Sequence, residues 1–220
     1  MKLMIFIDLE NFKEGLWKID SSKKLDFKKF HFSLLNIVVD RFLLQGFTPE
    51  LIRTYVYTGE YTDSLISKVK YELSLLKEGS EDFVKVKAFL DNIANRKNSQ
   101  DKVLRFANYC NLLEIKKTPL HYTPKGAIFG KGIFQKGIDV QLAVDLVSHA
   151  YKDNFDVAVI CSGDVDLLES LKIVKSLGKK IIVVSHPKLI SENMIKESDY
   201  FCDLTILKDA ELNSLFNIKE

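Results

Sequence analysis

Val157-Ala158-Val159-Ile160-Cys161-Ser162-Gly163-Asp164-Val165-Asp166 is an apolar run that ends in two carboxylates. A continuous run of this kind, bounded by glycine, reads as a strand buried on both faces in a parallel sheet. Open α/β sheets carry their sites at the carboxyl ends of such strands. The N-terminus repeats the arrangement: Leu3-Met4-Ile5-Phe6-Ile7 runs into Asp8, and Asn11 follows three residues later. A third acid, Asp139, closes Lys136-Gly137-Ile138-Asp139 just ahead of a helical pattern.

Working outward, residues 26–45 place Phe27, Phe30, Leu34, Leu35, Val38 and Phe42 at helical spacing, with Gly46 as the stop. Residues 51–57 alternate as a strand. Helices are expected at 63–76 and 83–109, the second interrupted at Asn95-Arg96-Lys97-Asn98-Ser99, and a strand at 112–117. Residues 118–137 hold two of the four prolines and read as an irregular or hairpin region. Then come helix 140–151, strand 157–161, helix 167–177, strand 180–184, a short helix at 191–197 and a last strand at 204–207. Residues 9–19 fit a loop or a short helix equally. The alternation predicts an α/β fold with a mostly parallel central sheet and helices on both faces.

The 220 residues suit a single domain, with a variable insertion at about 60–137. A net charge of +2, from 32 basic and 30 acidic residues, excludes a protein that coats nucleic acid through its overall charge. Any such contact must come from a local patch. Cys110, Cys161 and Cys202 form no CxxC pair, so neither a zinc site nor a disulfide framework is expected. Free thiols point to a reducing compartment, here the cytoplasm. No stretch approaches the ~18 apolar residues of a membrane helix.

Singly, each acid has a plain explanation. Asp164 or Asp139 could cap the helix that follows, and Asp166 would then sit in a first turn. Jointly they ask for more. Several carboxylates drawn to one sheet edge repel unless a proton or cation lies between them. Mg²⁺ or Mn²⁺ suits such oxygen ligands, and no His or Cys in these motifs favours zinc.

Three strings carry a family likeness: Phe6-Ile7-Asp8-Leu9-Glu10-Asn11, Lys136-Gly137-Ile138-Asp139-Val140 and Ser162-Gly163-Asp164-Val165-Asp166. With Gly178-Lys179-Lys180 and Ser198-Asp199-Tyr200-Phe201, the chain resembles the NYN domain, in particular its LabA-like branch, related to PIN-domain nucleases. The resemblance covers residues 2–207 and is strongest over 136–206. It implies a PIN-like three-layer α/β/α sandwich and a Mg²⁺- or Mn²⁺-dependent ribonuclease acting on single-stranded RNA. Asp8, Asp139 and Asp164 match the metal-binding positions, and Asn11 and Asp166 match residues that support them. Asp145 falls where the family often has a further acid, yet it lies about 240° round the helix from Asp139. Leu167 stands where relatives usually have Phe.

Bases should flank an acidic centre that receives phosphates. Lys125, Lys131 and Lys136, with Ser162, are the candidate substrate contacts. Lys116 and Lys117 lie nearby in sequence, and His121, Tyr122, Phe129 and Phe134 interleave with the lysines. A solvated loop anchored by its aromatics would look the same. RNA is the expected partner, with DNA left open, and related folds often form homodimers. The competing function is a non-catalytic module that binds nucleic acid or protein on the same scaffold. A haloacid-dehalogenase-type phosphatase is disfavoured, because Glu10 stands where its second Asp would be.

Overall fold

The computed structural model describes residues 1–42, 49–107, 109–129 and 132–216. Gln45 and Gly46, the expected end and stop of the second helix, lie outside them, as does Lys131. The chain forms two compact units. The first comprises residues 1–57, 107–116 and 139–220, the second residues 58–106 and 117–138.

The first unit opens with β1 (Lys2–Asp8) and α1 (Leu9–Ile19), followed by α2 (Phe30–Phe42) and β2 (Glu50–Glu60). β1 buries Leu3 to Ile7 completely, as a central parallel strand must. Its period of two divides these side chains between two layers. Leu3, Ile5 and Ile7 join Phe12, Leu16, Leu34 and Val38 of α1 and α2 in one core. Phe6 instead meets Tyr55, Phe155 and His149, with ring centroids 5.9–6.2 Å apart. Asp8 follows Phe6 by two and so belongs to that second face.

Residues 9–19 resolve as helix because Leu9, Phe12 and Leu16 recur at helical spacing and are buried. α2 begins at Phe30, four residues later than expected. Asp26 opens a turn over 27–29 there, its side chain accepting from the Lys28 N–H and its carbonyl from the Lys29 and Phe30 N–H groups.

The second unit packs α3 (Asp63–Ser74) and α4 (Glu81–Ala107) around Val69, Val86, Ile93 and Ala127. Thr62 caps α3, its Oγ1 accepting from the Leu65 N–H at 3.1 Å. α4 runs unbroken for 27 residues. The polar string at 95–99 does not interrupt it. Those positions face mainly outward, while Val86, Phe89, Leu90 and Ile93 supply the packing. Losses of a few tenths of a kcal/mol per weak helix former are small beside such burial.

β3 (Leu113–Pro119) leads to a two-stranded hairpin of β4 (His121–Tyr122) and β5 (Ile133–Phe134), resolving the region read as irregular or hairpin. α5 (Ile138–Tyr151), β6 (Val157–Cys161), α6 (Leu168–Ser176), β7 (Lys180–Ser185), α7 (Glu192–Glu197), β8 (Tyr200–Asp203) and α8 (Asp209–Ser214) complete the chain. A single 3-10 turn, Val165–Leu167, precedes α6. The last strand lies at 200–203 rather than 204–207, and Leu204–Ile206 is a 3-10 turn.

The sheet order is β3-β2-β1-β6-β7-β8, all parallel. The Thr54 N–H donates to the Leu112 carbonyl and the Leu120 N–H to the Glu60 carbonyl, which sets β3 parallel to β2. Helices flank this sheet, an α/β architecture consistent with a PIN-like sandwich. Among the described residues no helix is long and apolar enough to cross a membrane.

Candidate active site

β1 and β6 pair in register, Ile7 opposite Cys161, so their exit loops leave side by side. Asp8 ends one strand and Ser162-Gly163-Asp164 follows the other. Asp8 is the N-cap of α1, accepting from the Glu10 and Asn11 N–H groups at 3.2 Å each. Asp164 caps the 3-10 turn, accepting from the Asp166 N–H at 3.1 Å. The capping role foreseen for a lone acid is therefore present.

Two features set this pair apart from ordinary caps. Asp203, at the end of β8, makes the same local bond to the Thr205 N–H as an ordinary cap. Burial instead pushes the Asp8 carboxyl up to about 6. The two backbone N–H groups pull against that rise, and the charges of Asp164 and Glu10 add to it. The second feature is the lack of cations. Among the described residues Asp8, Asp139, Asp145, Asp164 and Asp166 have no Lys or Arg within ion-pair distance, while Glu10, Glu14, Asp20, Asp26, Glu169 and Glu192 each have one.

The loop that carries Asp164 is held from several sides. The Gly163 N–H donates to Asn11 Oδ1 at 3.1 Å, tying the loop to α1. The Asp164 N–H donates to Ser162 Oγ at 3.2 Å, and Ser162 is fully buried. Gly163 has no room for a side chain: a Cβ there would lie 2.1 Å from the Leu189 carbonyl oxygen. Asp166 is exposed and Asp164 half-buried.

Asp139 is the second residue of α5 and half-buried, in a helix's first turn and not at a strand end. Gly137, at φ +84°, supplies the left-handed turn that starts this helix. Asp145 accepts a hydrogen bond at 2.9 Å from the hydroxyl of Tyr57. Tyr57 is buried and is the register partner of Asp8 on β2. Burial, then the charge of Asp145, raises the Tyr57 hydroxyl well above the usual tyrosine range. Tyr57 was missed from sequence: it lies 88 residues from Asp145 and looks like any strand aromatic. Gly163 was seen only as part of a motif, since its neighbour at 189 gives no local signal.

Lys125 and Lys136 belong to the second unit and are exposed. Lys125 has φ +59°, and its N–H donates to Glu72 Oε2.

The donor set suits a hard cation: carboxylate oxygens, one pair of them close enough to oppose each other's charge, with no basic side chain among the described residues paired to them. Mg²⁺ typically uses one or two carboxylates and keeps several waters. Asp8 and Asp164 meet that requirement. Among the described residues, however, no group of three or more His, Cys, Asp or Glu lies close enough to hold a metal ion. Asp139 is thus not gathered with the other two into a ready-made cluster.

The profile of the NYN domain family matches residues 2–207. The chain belongs to this family, whose members are PIN-like nucleases and generally use divalent metals. In fold the chain is similar to a protein of unknown function, VPA0982, from Vibrio parahaemolyticus RIMD 2210633. That similarity has a TM-score of 0.54 at 16% identity and covers 98% of this chain and 96% of the other. No curated protein matches the sequence.

Proposed function

We propose that this chain is a Mg²⁺- or Mn²⁺-dependent nuclease of the LabA-like branch that hydrolyses phosphodiester bonds of single-stranded RNA. The observation that carries the reading is the pair of unneutralised carboxylates, Asp8 and Asp164, at adjoining strand ends. These two, with Asp139 from the first turn of α5, would hold the cation. A bound divalent ion lowers the pKa of coordinated water and offsets charge on a phosphoryl oxygen.

The remaining roles fall to the chain's own groups. Asn11 keeps the Asp164 loop in place through the Gly163 N–H. Asp166 anchors Asp164 by its backbone N–H, and its exposed carboxylate is free to orient water. Ser162, being buried, acts by ordering the Asp164 backbone more than by touching substrate. Tyr57 fixes Asp145 as the additional acid. Lys125, Lys131 and Lys136 would grip phosphates. We take the 220 residues as one NYN/PIN-like domain with an insertion at 60–137, working in the cytoplasm, alone or as a homodimer.

One observation favours a second reading, a non-catalytic module that binds nucleic acid or protein: no three acids gather into a metal cluster among the described residues. A single experiment separates the two. The purified protein and its Asp164→Asn variant are incubated with labelled single-stranded RNA and DNA in Mg²⁺, Mn²⁺ or EDTA. Metal-dependent RNA cleavage that the variant loses supports the nuclease. Binding without product in Mn²⁺ selects the module.

A further inference from the structure

The net charge of +2 conceals a division. The second unit has 13 Lys and Arg against 8 Asp and Glu, a net charge of +5, while the first has 19 against 22, a net charge of −3. Within the second unit the excess is not spread evenly. The first half of α4 carries Glu81, Asp82 and Asp91. From residue 92 to residue 106 every exposed position is an amide, a hydroxyl, a cation or an apolar side chain. The one acid in that stretch, Asp101, is only partly exposed and is paired with Lys97 at 3.0 Å.

A solvated helix face normally mixes charges, and elsewhere this chain does so. Lys85 pairs with Glu81, Lys172 with Glu169 and Lys196 with Glu192 along their helices. Lys102 and Arg105 form no ion pair among the described residues. They sit at the helical spacing of Asn95 and Asn98, and an open cleft of about 320 Å³ is lined by Asn98, Asp101, Lys102 and Arg105. Arg96 stands on the tyrosine hydroxyl of Tyr61 at 3.3 Å. Asn92 to Arg105 spans about 20 Å at 1.5 Å per residue, long enough to follow several phosphates of one strand. Cations that contact phosphate, amides that bond base edges or sugars, and a partly exposed ring at Phe106 are the parts of a single-strand track.

We infer that the C-terminal half of α4, centred on Lys102 and Arg105, is a docking face for a single-stranded polynucleotide. This rests on the reading of the chain as a protein that acts on such a strand, and it assigns a part of the binding to residues that take no part in the chemistry.

The test measures binding apart from cleavage. Fluorescence anisotropy of labelled oligouridylate and oligothymidylate is followed with the full chain in EDTA, between about 50 and 200 mM salt. The Lys102→Ala/Arg105→Ala variant should bind on the order of ten-fold more weakly at the lower salt. The slope of log K against log salt should fall by about 1.4, which is about 0.7 for each phosphate of a single strand that a cation no longer neutralises. Lys85→Ala/Lys87→Ala, which removes equal charge from the acidic half of the same helix, should change little. Unchanged affinity and slope in the first variant, or equal losses in both, would overturn the inference, as would a wild-type chain that binds neither strand. The two oligonucleotides tell RNA from DNA. If the wild type cleaves nothing in Mn²⁺ yet binds, and the first variant alone loses affinity and slope, the nuclease reading fails and this one stands. If it cleaves and the first variant binds as wild type, the reverse holds.

Discussion

Replacing Asp8 by Asn should stabilise the metal-free protein at neutral pH, although the residue lies at the proposed centre. The Asp8 carboxyl is raised from 3.8 to about 6, first by burial and then by the neighbouring charges. A raised carboxyl contributes its full stability below pH 3.8, where folded and unfolded chains both keep the proton. As pH rises to 6 the unfolded chain gives up its proton first, and the folded state loses ground. At about 1.36 kcal/mol per unit the cost at pH 8 is about 3 kcal/mol. Asparagine removes the charge yet still accepts from the Glu10 and Asn11 N–H groups, because Asn and Asp cap helices about equally well. Urea unfolding of wild type and Asp8→Asn in EDTA should therefore give nearly equal stabilities near pH 4 and a variant more stable by about 3 kcal/mol at pH 8. Added Mn²⁺ should reverse the order, since an ion bound only by the folded state stabilises it by mass action and the variant has lost a ligand. An Asp8→Asn protein no more stable than wild type at pH 8 in EDTA would refute the argument, because the carboxylate would then carry no electrostatic penalty for a cation to relieve.

Two other substitutions probe the supports of the site. Gly163→Ala would place a Cβ 2.1 Å from the Leu189 oxygen, so the loop must move. A loss of about 3 kcal/mol in thermal or urea unfolding is expected, with any nuclease activity, and unchanged stability would show that the 186–190 segment yields freely. Tyr57→Phe removes the hydroxyl that donates to Asp145. It should cost about 1–3 kcal/mol as the loss of a partly buried hydrogen bond to a carboxylate, and a cost under about 0.5 kcal/mol would mean that water replaces the hydroxyl.

How much could be read in advance differs element by element. β1 and β6 were plain because a strand covered on both faces needs an unbroken apolar run, and that requirement is local. α1 was not, because Gly15 and scattered charges weaken its pattern. Gly15 is there for packing: a Cβ would sit 3.3 Å from His186 and Leu204, both distant in sequence. The expected break in α4 came from reading polar residues as a loop, when they are the outer face of a helix anchored by Ile93 and Val86. The last strand was misplaced because Leu204–Ile206 is apolar and short, and only pairing of Cys202 with Val184 distinguishes strand from 3-10 turn.

By itself, then, the sequence determined the layout of alternating strands and helices, the family and the identities of the candidate acids, since periodicity and motif spacing are properties of neighbouring residues. The tertiary structure decided what those acids meet. It brought Asp8 beside Asp164 through the pairing of β1 with β6, left both without an ion-pair partner among the described residues, and pinned the loop by Asn11 across 152 positions. It also gave Asp145 to Tyr57, set Asp139 in a helical turn, and left the net positive charge of the chain on one unit. Each of these depends on distance in space and on the water that burial removes, and neither is written in the order of the residues.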